Sequence, residues 1–264
     1  MRTALTIAGS DPSGGAGIQA DLKTFAAHGV YGMAALTALT AQNTKAVTGI
    51  FDVDPDFVAR QIDTIGDDVP IHAAKTGMLS SAAIIRAVAE AIARNGIETL
   101  VVDPVMVATS GDRLLAPEAE EVVTTVLLPL ATVATPNADE AAVLAGFAVD
   151  GLDAAKEAAR TIAGLGPGAV LVKGGHRDDG NEAKDVLFDG EAIHEISLPR
   201  LETTSTHGTG CTLSAAIAAN LALGRPMREA VERAKGYVHR AMASAPGLGG
   251  GHGPLRHDVD PDGG

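Results

Sequence analysis

A lone cysteine, Cys211, stands in the stretch THGTGCTLS, directly after two glycines and before an apolar run. An apolar helix that begins here leaves the N–H groups of Thr209, Gly210 and Cys211 without acceptors in its first turn. Such a helix end attracts anions and lowers the pKa of a thiol placed on it. The pattern predicts a phosphate cradle. The structural alternative is that Cys211 is a small buried apolar residue.

A second glycine loop lies near the start of the chain, in LTIAGSDPSGGAGIQADLKTF. Gly15, Gly17 and Ala20 match the GxGxxA spacing of a dinucleotide site. That site also needs an acidic residue about 20 residues further on, at the end of the second strand. The corresponding stretch, AALTALTAQNT, has no acid before Asp52, and the chain has no GK[ST] motif of a P-loop. A dehydrogenase is therefore disfavoured, and a plain strand-to-helix turn remains the alternative.

Polar residues also follow several apolar runs that have the character of buried strands. Asp103 ends the run in VVDPVM, ahead of the loop VATSGD, and Lys173 ends the run in VLVKGGH. Asn137 and Glu140 follow another run in TPNADE, where their spacing also resembles a helix capping box. Because open parallel sheets bind ligands at the carboxyl ends of their strands, we expect these groups to share one site.

Short apolar runs alternate with helical patterns along most of the chain, which predicts an α/β fold with a mostly parallel sheet covered by helices on both faces. The pattern changes once, late, where KDVLFDGEAIHEISL predicts an antiparallel hairpin turning at Asp189-Gly190. Two helices, residues 210–223 and 226–245, close the domain. The earlier helices are predicted at residues 15–28, 55–67, 81–95, 117–126, 138–145 and 153–165.

Composition limits the function classes. A net charge of −13 disfavours a nucleic-acid groove, which needs clustered Lys and Arg. Aromatic residues are 3% of the chain, so the core must consist mainly of Ala, Val, Leu and Ile. The single cysteine, the absence of a signal-peptide pattern and the absence of an apolar run of ~18 residues predict a cytoplasmic protein without a membrane span. We predict one domain over residues 1–257 and a disordered tail over 258–264.

The glycine loops, together with DPVMVATSGD, TPNADEA, VLVKGGH and THGTGCTLSAAIAANLA, resemble the hydroxymethylpyrimidine/phosphomethylpyrimidine kinases of thiamine synthesis, within the ribokinase-like superfamily. The resemblance runs in order from about residue 3 to residue 254. It implies a ribokinase-like fold, ATP with Mg²⁺, and a homodimer. It also implies two successive phosphorylations, of 4-amino-5-hydroxymethyl-2-methylpyrimidine and then of its monophosphate. Most sugar kinases of the superfamily carry Asp where this chain has Cys211.

The resemblance assigns roles to individual residues. Gly208, Gly210 and Cys211 would meet the transferred phosphate, with the Cys211 thiolate as a base for the substrate hydroxyl or only as part of the cradle. Asp103 and Glu140 would hold Mg²⁺. The nucleotide and its phosphates would be held by a further set: Asn137, Lys173, Thr204, Thr206 and Thr209.

On the substrate side, the resemblance assigns pyrimidine recognition to Gln42, whose amide carries both a donor and an acceptor. Asp21 and Gly9 would lie nearby, and Met78 would pack on the ring. Met78 as an ordinary core residue and Asp21 as a solvated acid are the structural alternatives.

Two further functions stay open from the residues alone. A pyridoxal or pyridoxine kinase shares the fold and the cysteine-bearing loop. A nucleotide- or vitamin-binding sensor without catalysis would share the fold as well, although the intact Asp103, Glu140, Lys173 and Cys211 disfavour it.

Overall fold

Nine strands form one continuous sheet in a computed structural model of the chain, which describes residues 1–106, 117–174 and 181–263. The strands are β1 (Thr3–Ser10), β2 (Tyr31–Gln42), β3 (Val47–Asp52), β4 (Ala73–Thr76), β5 (Leu100–Val102), β6 (Val133–Ala134), β7 (Ala169–Val172), β8 (Glu182–Phe188) and β9 (Ile193–Pro199). Their order across the sheet is β3-β2-β1-β4-β5-β6-β7-β8-β9.

Six neighbouring strands, in the order β2-β1-β4-β5-β6-β7, run parallel, which confirms the predicted α/β class. Every residue of β4, β5 and β7 is buried, as expected for apolar strands covered on both faces. The late hairpin is also confirmed, because β8 pairs antiparallel with both β7 and β9.

The sequence predicted antiparallel pairing only in the late hairpin. This is wrong, because β3 also pairs antiparallel with β2, at the other edge of the sheet. The tight turn between them is built by Asn43, whose side-chain oxygen accepts hydrogen bonds from the N–H groups of Lys45 and Ala46 at 2.8 and 3.2 Å. An Asn side chain can form such a turn without glycine. The stretch QNTKA therefore lacked the glycine signal on which the later hairpin was recognised.

Eight α-helices occur in the described residues, close to the predicted ranges. They are α1 (Gly17–Ala27), α2 (Pro55–Gly66), α3 (Ala82–Arg94), α4 (Pro117–Val122), α5 (Ala138–Ala145), α6 (Gly151–Ala163), α7 (Thr209–Ala222) and α8 (Met227–Ala243). Helix α4 ends earlier than predicted because the chain widens into a π-helical turn, Val123–Leu127.

The helices cover both faces of the sheet. Apolar side chains of α2, α3, α5 and α6 pack on one face, and those of α1, α7 and α8 pack on the other. Helix α7 is buried along most of its length, and its several alanines let it lie close to the sheet between its two neighbours. No helix in the described ranges combines the length and the hydropathy that crossing a bilayer requires.

The tail that was predicted to be disordered contains residues that contact α8. Arg240 donates from Nε to the carbonyl oxygen of Asp260 at 3.2 Å, and Arg233 forms an ion pair with Asp262. Both arginines lie on α8, so residues 258–263 are held along that helix.

Candidate active site

A cavity of about 420 Å³ crosses the carboxyl ends of the parallel strands. Gly9, Thr40, Gln42 and Met78 line it on the β1–β2 side. Asp103, Asn137, Glu140 and Lys173 line its middle, opposite the first turn of α7. The side nearest β8 and β9 is lined by Asp185, Leu198, Pro199, Leu213, Lys235 and Met242, among others.

The middle of the cavity holds a charged cluster. The Lys173 ammonium lies 2.8 Å from Asp103 Oδ1 and 3.9 Å from Glu140 Oε2. Asp103 also accepts hydrogen bonds from Thr135 and Ser214, both at 3.3 Å. The structure thus brings together three residues that the sequence placed at the ends of different strands.

Burial and mutual charge set the protonation of this cluster. Burial would raise the pKa of Asp103, but the charges of Lys173 and Lys75 outweigh it and leave the pKa lowered. For Glu140, burial prevails over the attraction of Lys173, and the negative charge of Asp103 adds to it, so the pKa rises to about 7. Because the two carboxylates share one ammonium, Glu140, whose pKa is raised, is the one that can take up a proton or bind a cation.

Asn137 and Glu140 form the capping box that their spacing allows. Asn137 Oδ1 accepts from the Glu140 N–H at 2.9 Å, and Glu140 Oε2 accepts from the Asn137 N–H at 2.7 Å. Asn137 and Glu140 therefore form a helix cap, as the structural alternative predicted, and they also line the cavity. The cap fixes the Glu140 carboxylate, so that it is presented to Lys173 by the start of α5.

The first turn of α7 faces the charged cluster. A Cβ atom placed on Gly210 would lie 3.4 Å from Lys173 Nζ and 3.7 Å from Asp103 Oδ2. In the described part of the chain, the N–H groups of Gly210 and Cys211 have no hydrogen-bond acceptor. The expectation for Thr209 is wrong, because its N–H donates to the Thr206 carbonyl at 3.3 Å. Two amide donors that lack acceptors among the described residues therefore lie on the helix turn that passes beside Lys173.

Cys211 is half-buried and follows directly on Gly210, but it does not itself line the cavity. Its pKa is raised by burial, although the charge of Lys75 and a hydrogen bond from the Gly17 backbone oppose this. The expected lowering of the thiol pKa is thus wrong. Loss of solvation is the largest influence on this thiol, and the charges of Asp21 and Asp103 add to it.

The first glycine loop does not offer its amides to a ligand. Asp11 accepts from the N–H groups of Ser13, Gly15 and Ala16 at 2.8, 3.2 and 2.8 Å. These bonds and one from His207 hold the pKa of Asp11 below its usual value against the opposing effect of burial, which is the largest single influence. The position where a dinucleotide would place its pyrophosphate is occupied by a carboxylate of the chain, so the GxGxxA spacing here makes a turn.

The two glycine loops are fastened to each other. His207 Nε2 lies 2.7 Å from Asp11 Oδ2, and both residues are buried. A Cβ atom on Gly208, where φ is 78°, would lie 1.8 Å from the Gly15 carbonyl oxygen. Sequence reasoning missed Asp11 and His207. An Asp placed before Pro-Ser-Gly-Gly is a signal for the side-chain turn that Asp11 makes.

The predicted substrate residues are only partly brought together. Gln42, Gly9 and Met78 line the cavity, and a Cβ on Gly9 would lie 3.5 Å from the Met78 sulfur. Asp21 does not line it. Its side chain has no exposed surface and pairs with Lys75 at 2.9 Å. A lone lysine within the apolar run HAAKTGML was the signal for this partner, because a buried ammonium requires one.

Of the three threonines predicted to bind the nucleotide, two line the cavity and one does not. Thr206 and Thr209 line the cavity, whereas Thr204 is exposed and accepts a hydrogen bond from the Gly253 N–H at 3.2 Å. A buried ion pair at this side was missed by sequence reasoning: Lys235 on α8 lies 2.7 Å from Asp185 on β8. Nothing in the sequence spacing joins these two residues, which lie on elements far apart in the chain.

The described residues test two sequence predictions only in part, the strand-end loops and the metal site. The loop VATSGD and the residues after Gly174 in VLVKGGH lie outside the described residues. Among the described residues, no group of three or more His, Cys, Asp or Glu side chains is placed to hold a metal ion. Asp103 and Glu140 would therefore supply only part of the ligand set of a metal.

Comparison with known proteins gives a consistent picture. A family model for phosphomethylpyrimidine kinase matches residues 11–256. A hydroxymethylpyrimidine/phosphomethylpyrimidine kinase of Rhizobium meliloti is 53% identical over 258 residues, with 96% of each chain covered. The phosphomethylpyrimidine kinase structure of Clostridium difficile superposes with a TM-score of 0.82 at 44% identity, over 91% of this chain and 99% of that one. An ADP complex of Bacillus subtilis pyridoxal kinase superposes with a TM-score of 0.90 at 41% identity, over 97% of both chains.

Proposed function

Because this chain belongs to the phosphomethylpyrimidine kinase family, we propose a specific division of labour across its cavity. The enzyme phosphorylates 4-amino-5-hydroxymethyl-2-methylpyrimidine and then its monophosphate, using ATP, in thiamine biosynthesis. The observation that carries the assignment is the first turn of α7 beside the lysine–carboxylate cluster, where a Cβ atom placed on Gly210 would lie 3.4 Å from Lys173 Nζ. Phosphoryl transfer needs alignment and positive charge above all, and both are available at this place.

The pyrimidine lies at the β1–β2 side of the cavity. Gln42 reads the ring nitrogen and the amino group, Gly9 leaves room for the ring, and Met78 packs on its face. Asp21, buried beneath this side, acts through Lys75 and does not touch the substrate. The nucleotide lies at the β8–β9 side, with Thr206 and Thr209 near its phosphates and Lys173 between the two ligands.

In the transfer step, the substrate hydroxyl oxygen bonds to the terminal phosphorus of ATP, and the bond from that phosphorus to ADP breaks. The N–H groups of Gly210 and Cys211 and the Lys173 ammonium stabilise the charge on the transferred oxygens. In the alternative in which Cys211 is the base and not only part of the cradle, the hydroxyl proton passes to its thiolate form. Since burial keeps the thiol mostly protonated at neutral pH, base catalysis draws on a minor form, and alignment supplies the rest of the rate.

The donor set in the middle of the cavity fits Mg²⁺. Asp103 and Glu140 offer carboxylate oxygens. Burial is the main cause of the raised pKa of Glu140, and the nearby charge of Asp103, which a dication would offset, adds to it. Bound Mg²⁺ would neutralise phosphate charge. Asp103 and Glu140 would hold it, and the capping box of Asn137 would keep the Glu140 carboxylate in place.

Mass detection of products tests the reaction directly. Incubation of the purified protein with ATP, Mg²⁺ and hydroxymethylpyrimidine should give the monophosphate and then the diphosphate. Ligand binding without turnover would identify a sensor instead.

As a test of the substrate side, Gln42→Ala should raise KM for the pyrimidine and leave KM for ATP unchanged. An unchanged pyrimidine KM would assign ring recognition to another residue.

A pyridoxal kinase is the second candidate, favoured by the likeness to the Bacillus subtilis pyridoxal kinase at 41% identity. Competition between hydroxymethylpyrimidine and pyridoxal at equal concentration separates the two functions. We expect the pyrimidine to be phosphorylated first. A preference for pyridoxal would reverse the assignment.

We also propose a homodimer that associates through the β2–β3 edge in the cytoplasm. Leu39 and Phe51 are paired across β2 and β3, and their exposed fractions are 46% and 71%, with Ile50 at 43% beside them. An exposed apolar edge strand favours association. Sedimentation should give twice the chain mass, and Phe51→Glu should give the monomer. A wild-type monomer would contradict the dimer, and cell fractionation tests the location.

A further inference from the structure

The glycine-rich segment near the chain end has no role in the chemistry described above. We call residues 249–254 the C-terminal strap. On one side the strap contacts the turn between β2 and β3: the His252 N–H donates to the Thr44 carbonyl at 2.8 Å, and the Gly251 N–H donates to Thr44 Oγ1 at 3.3 Å. The strap therefore fastens the turn that follows Gln42 by two residues.

On its other side the strap contacts the cradle loop, residues 203–208, which leads into α7. The Gly253 N–H donates to the Thr204 carbonyl at 3.2 Å, and the His207 N–H donates to the Gly253 carbonyl at 3.0 Å. His252 Nδ1 also lies 3.1 Å from Thr206 Oγ1. One short segment thus hydrogen-bonds both the turn beside the substrate side and the loop beside the phosphate side.

Close approach explains the spacing of the strap glycines. A Cβ atom on Gly251 would lie 2.1 Å from the Thr44 carbonyl oxygen, and one on Gly249 would lie 2.4 Å from Thr44 Oγ1. A Cβ on Gly253 would lie 2.8 Å from Ser205 Oγ. Gly250 differs, because its Cβ would meet only the flexible end of Lys45, at 3.0 Å. Glycine is required where the strap touches its two neighbours.

The two fastened segments belong to opposite sides of the cavity. Thr40 and Gln42, just before the turn, line the substrate side, and Thr206 and His207, in the cradle loop, line the phosphate side. The sheet joins these sides from below only through several intervening strands. The strap joins them directly, in addition to the Asp11–His207 contact between the two glycine loops.

We propose that the C-terminal strap is a positioning element that fixes the pyrimidine-reading turn relative to the phosphate cradle, and so holds the hydroxyl in line with the terminal phosphate. This inference rests on the proposed pyrimidine kinase function. A misplacement of about 1 Å between reacting groups costs on the order of 100-fold in rate, so a short direct connection matters for catalysis.

Gly251→Ala tests the strap, with Gly250→Ala as the matched control. The added methyl in Gly251→Ala must displace the backbone at Thr44, whereas that in Gly250→Ala displaces only the end of a lysine side chain. We expect Gly251→Ala to raise KM for the pyrimidine about tenfold or more and to lower kcat, with KM for ATP unchanged. Gly250→Ala should match the wild type in all three constants.

The split between the constants separates positioning from mere destabilisation. A purely structural defect would reduce the amount of active enzyme and leave both KM values unchanged, which would overturn the proposal. Equal constants for the two glycine variants would also overturn it. Absence of pyrimidine phosphorylation by the wild type would instead refute the proposed function.

A second pair decides the matter if Gly251→Ala does not fold. Thr44→Val removes the hydroxyl that accepts from the Gly251 N–H. Thr48→Val removes a hydroxyl on the same hairpin that donates to the Ala41 carbonyl at 2.9 Å. We expect Thr44→Val to raise the pyrimidine KM by about two- to tenfold, the range of one hydrogen bond, and Thr48→Val to leave it unchanged. Equal pyrimidine constants for the two threonine variants contradict the strap.

Discussion

At Cys211 two effects of opposite sign act on one thiol. The amides at the start of α7 favour the thiolate, and burial disfavours it, with the net result that the pKa is raised. The positive charge of Lys75 makes the increase in the Cys211 pKa smaller, although this charge is also paired with Asp21. The sulfur is therefore a poor base at neutral pH and a better one as the pH rises.

Cys211→Ala should lower kcat by a factor on the order of 100, the usual scale of general-base assistance, with both KM values unchanged. Because burial raises the thiol pKa, the wild-type kcat should also increase with pH on the alkaline side of neutrality, and the variant should lack this increase. Steady-state kinetics across pH measures both effects. A near-normal rate in the variant would leave alignment as the whole of catalysis.

The Lys75–Asp21 pair has no exposed side-chain surface and is the second residue-scale case. Lys75→Met leaves the Asp21 carboxylate buried without a cation, so it should reduce the free energy of unfolding by about 3–5 kcal/mol. Replacing both residues together, Lys75→Met with Asp21→Leu, should recover most of this loss. Urea unfolding measures the difference.

Lys184→Met is the control for Lys75→Met, because Lys184 pairs with Glu182 at the surface, at 3.3 Å. It should cost less than about 1 kcal/mol. Equal losses in the two single variants would show that the buried pair has no special weight.

At the scale of elements, the cradle depends on how closely two loops approach. Gly208 has a φ of 78° and no room for a side chain against the Gly15 carbonyl. Together with the Asp11–His207 contact, this approach fixes where α7 begins. The strand β1, the helix α1 and the helix α7 therefore hold the cradle as one unit.

Gly208→Ala should lower kcat/KM on the order of 100-fold, because the cradle must move to admit the methyl group. Gly224→Ala is the matched control, since Gly224 has a similar φ of 83° and nothing within 4 Å of its added Cβ. It should cost only the backbone strain, about 1–2 kcal/mol in the free energy of unfolding, and leave activity unchanged. Kinetics and urea unfolding of both variants measure this, and equal activities would contradict the steric argument.

At the scale of the whole molecule, one sheet carries the proposed substrate side, the charged cluster and the proposed nucleotide side in a row. The C-terminal segment contacts the β2–β3 turn, the cradle loop and α7. Besides the strap it contains His257, whose Nε2 lies 3.1 Å from Thr212 Oγ1 on α7 and whose carbonyl accepts from the Tyr237 hydroxyl at 2.7 Å. The last residues of the chain thus brace the helix that forms the cradle.

His257 should make stability depend on pH. Burial, with a smaller effect of Lys23, lowers its pKa to about 4 from an ordinary value of 6.5. Between these values the unfolded chain binds a proton that the folded chain does not, so stability falls as the pH drops from 6.5 towards 4, by up to roughly 3 kcal/mol. His257→Gln should lose less stability over this range.

Urea unfolding at a series of pH values measures this difference. The comparison at neutral pH, where neither state takes up this proton, gives the reference cost of the substitution itself. Parallel pH curves for wild type and variant would contradict the burial of a neutral imidazole.

The sequence by itself determined the α/β class, the helices and the residues at the strand ends. These follow from local patterns: the period of apolar residues, the glycines before α7, and the spacing of Asn137 and Glu140. The resemblance then assigned Gln42, Asp103, Lys173 and Cys211 to one proposed site. Such features are read along a single stretch of chain, which is why they are accessible without coordinates.

Tertiary structure decided what each polar group meets. Only folding brought Asp21 to Lys75, turned the amides of the first glycine loop onto Asp11, and raised the pKa of Cys211 by burial. Only folding placed the glycines after residue 248 against Thr44 and Ser205. Burial, charge pairing and close approach depend on groups that are distant in the chain, so no local pattern contains them.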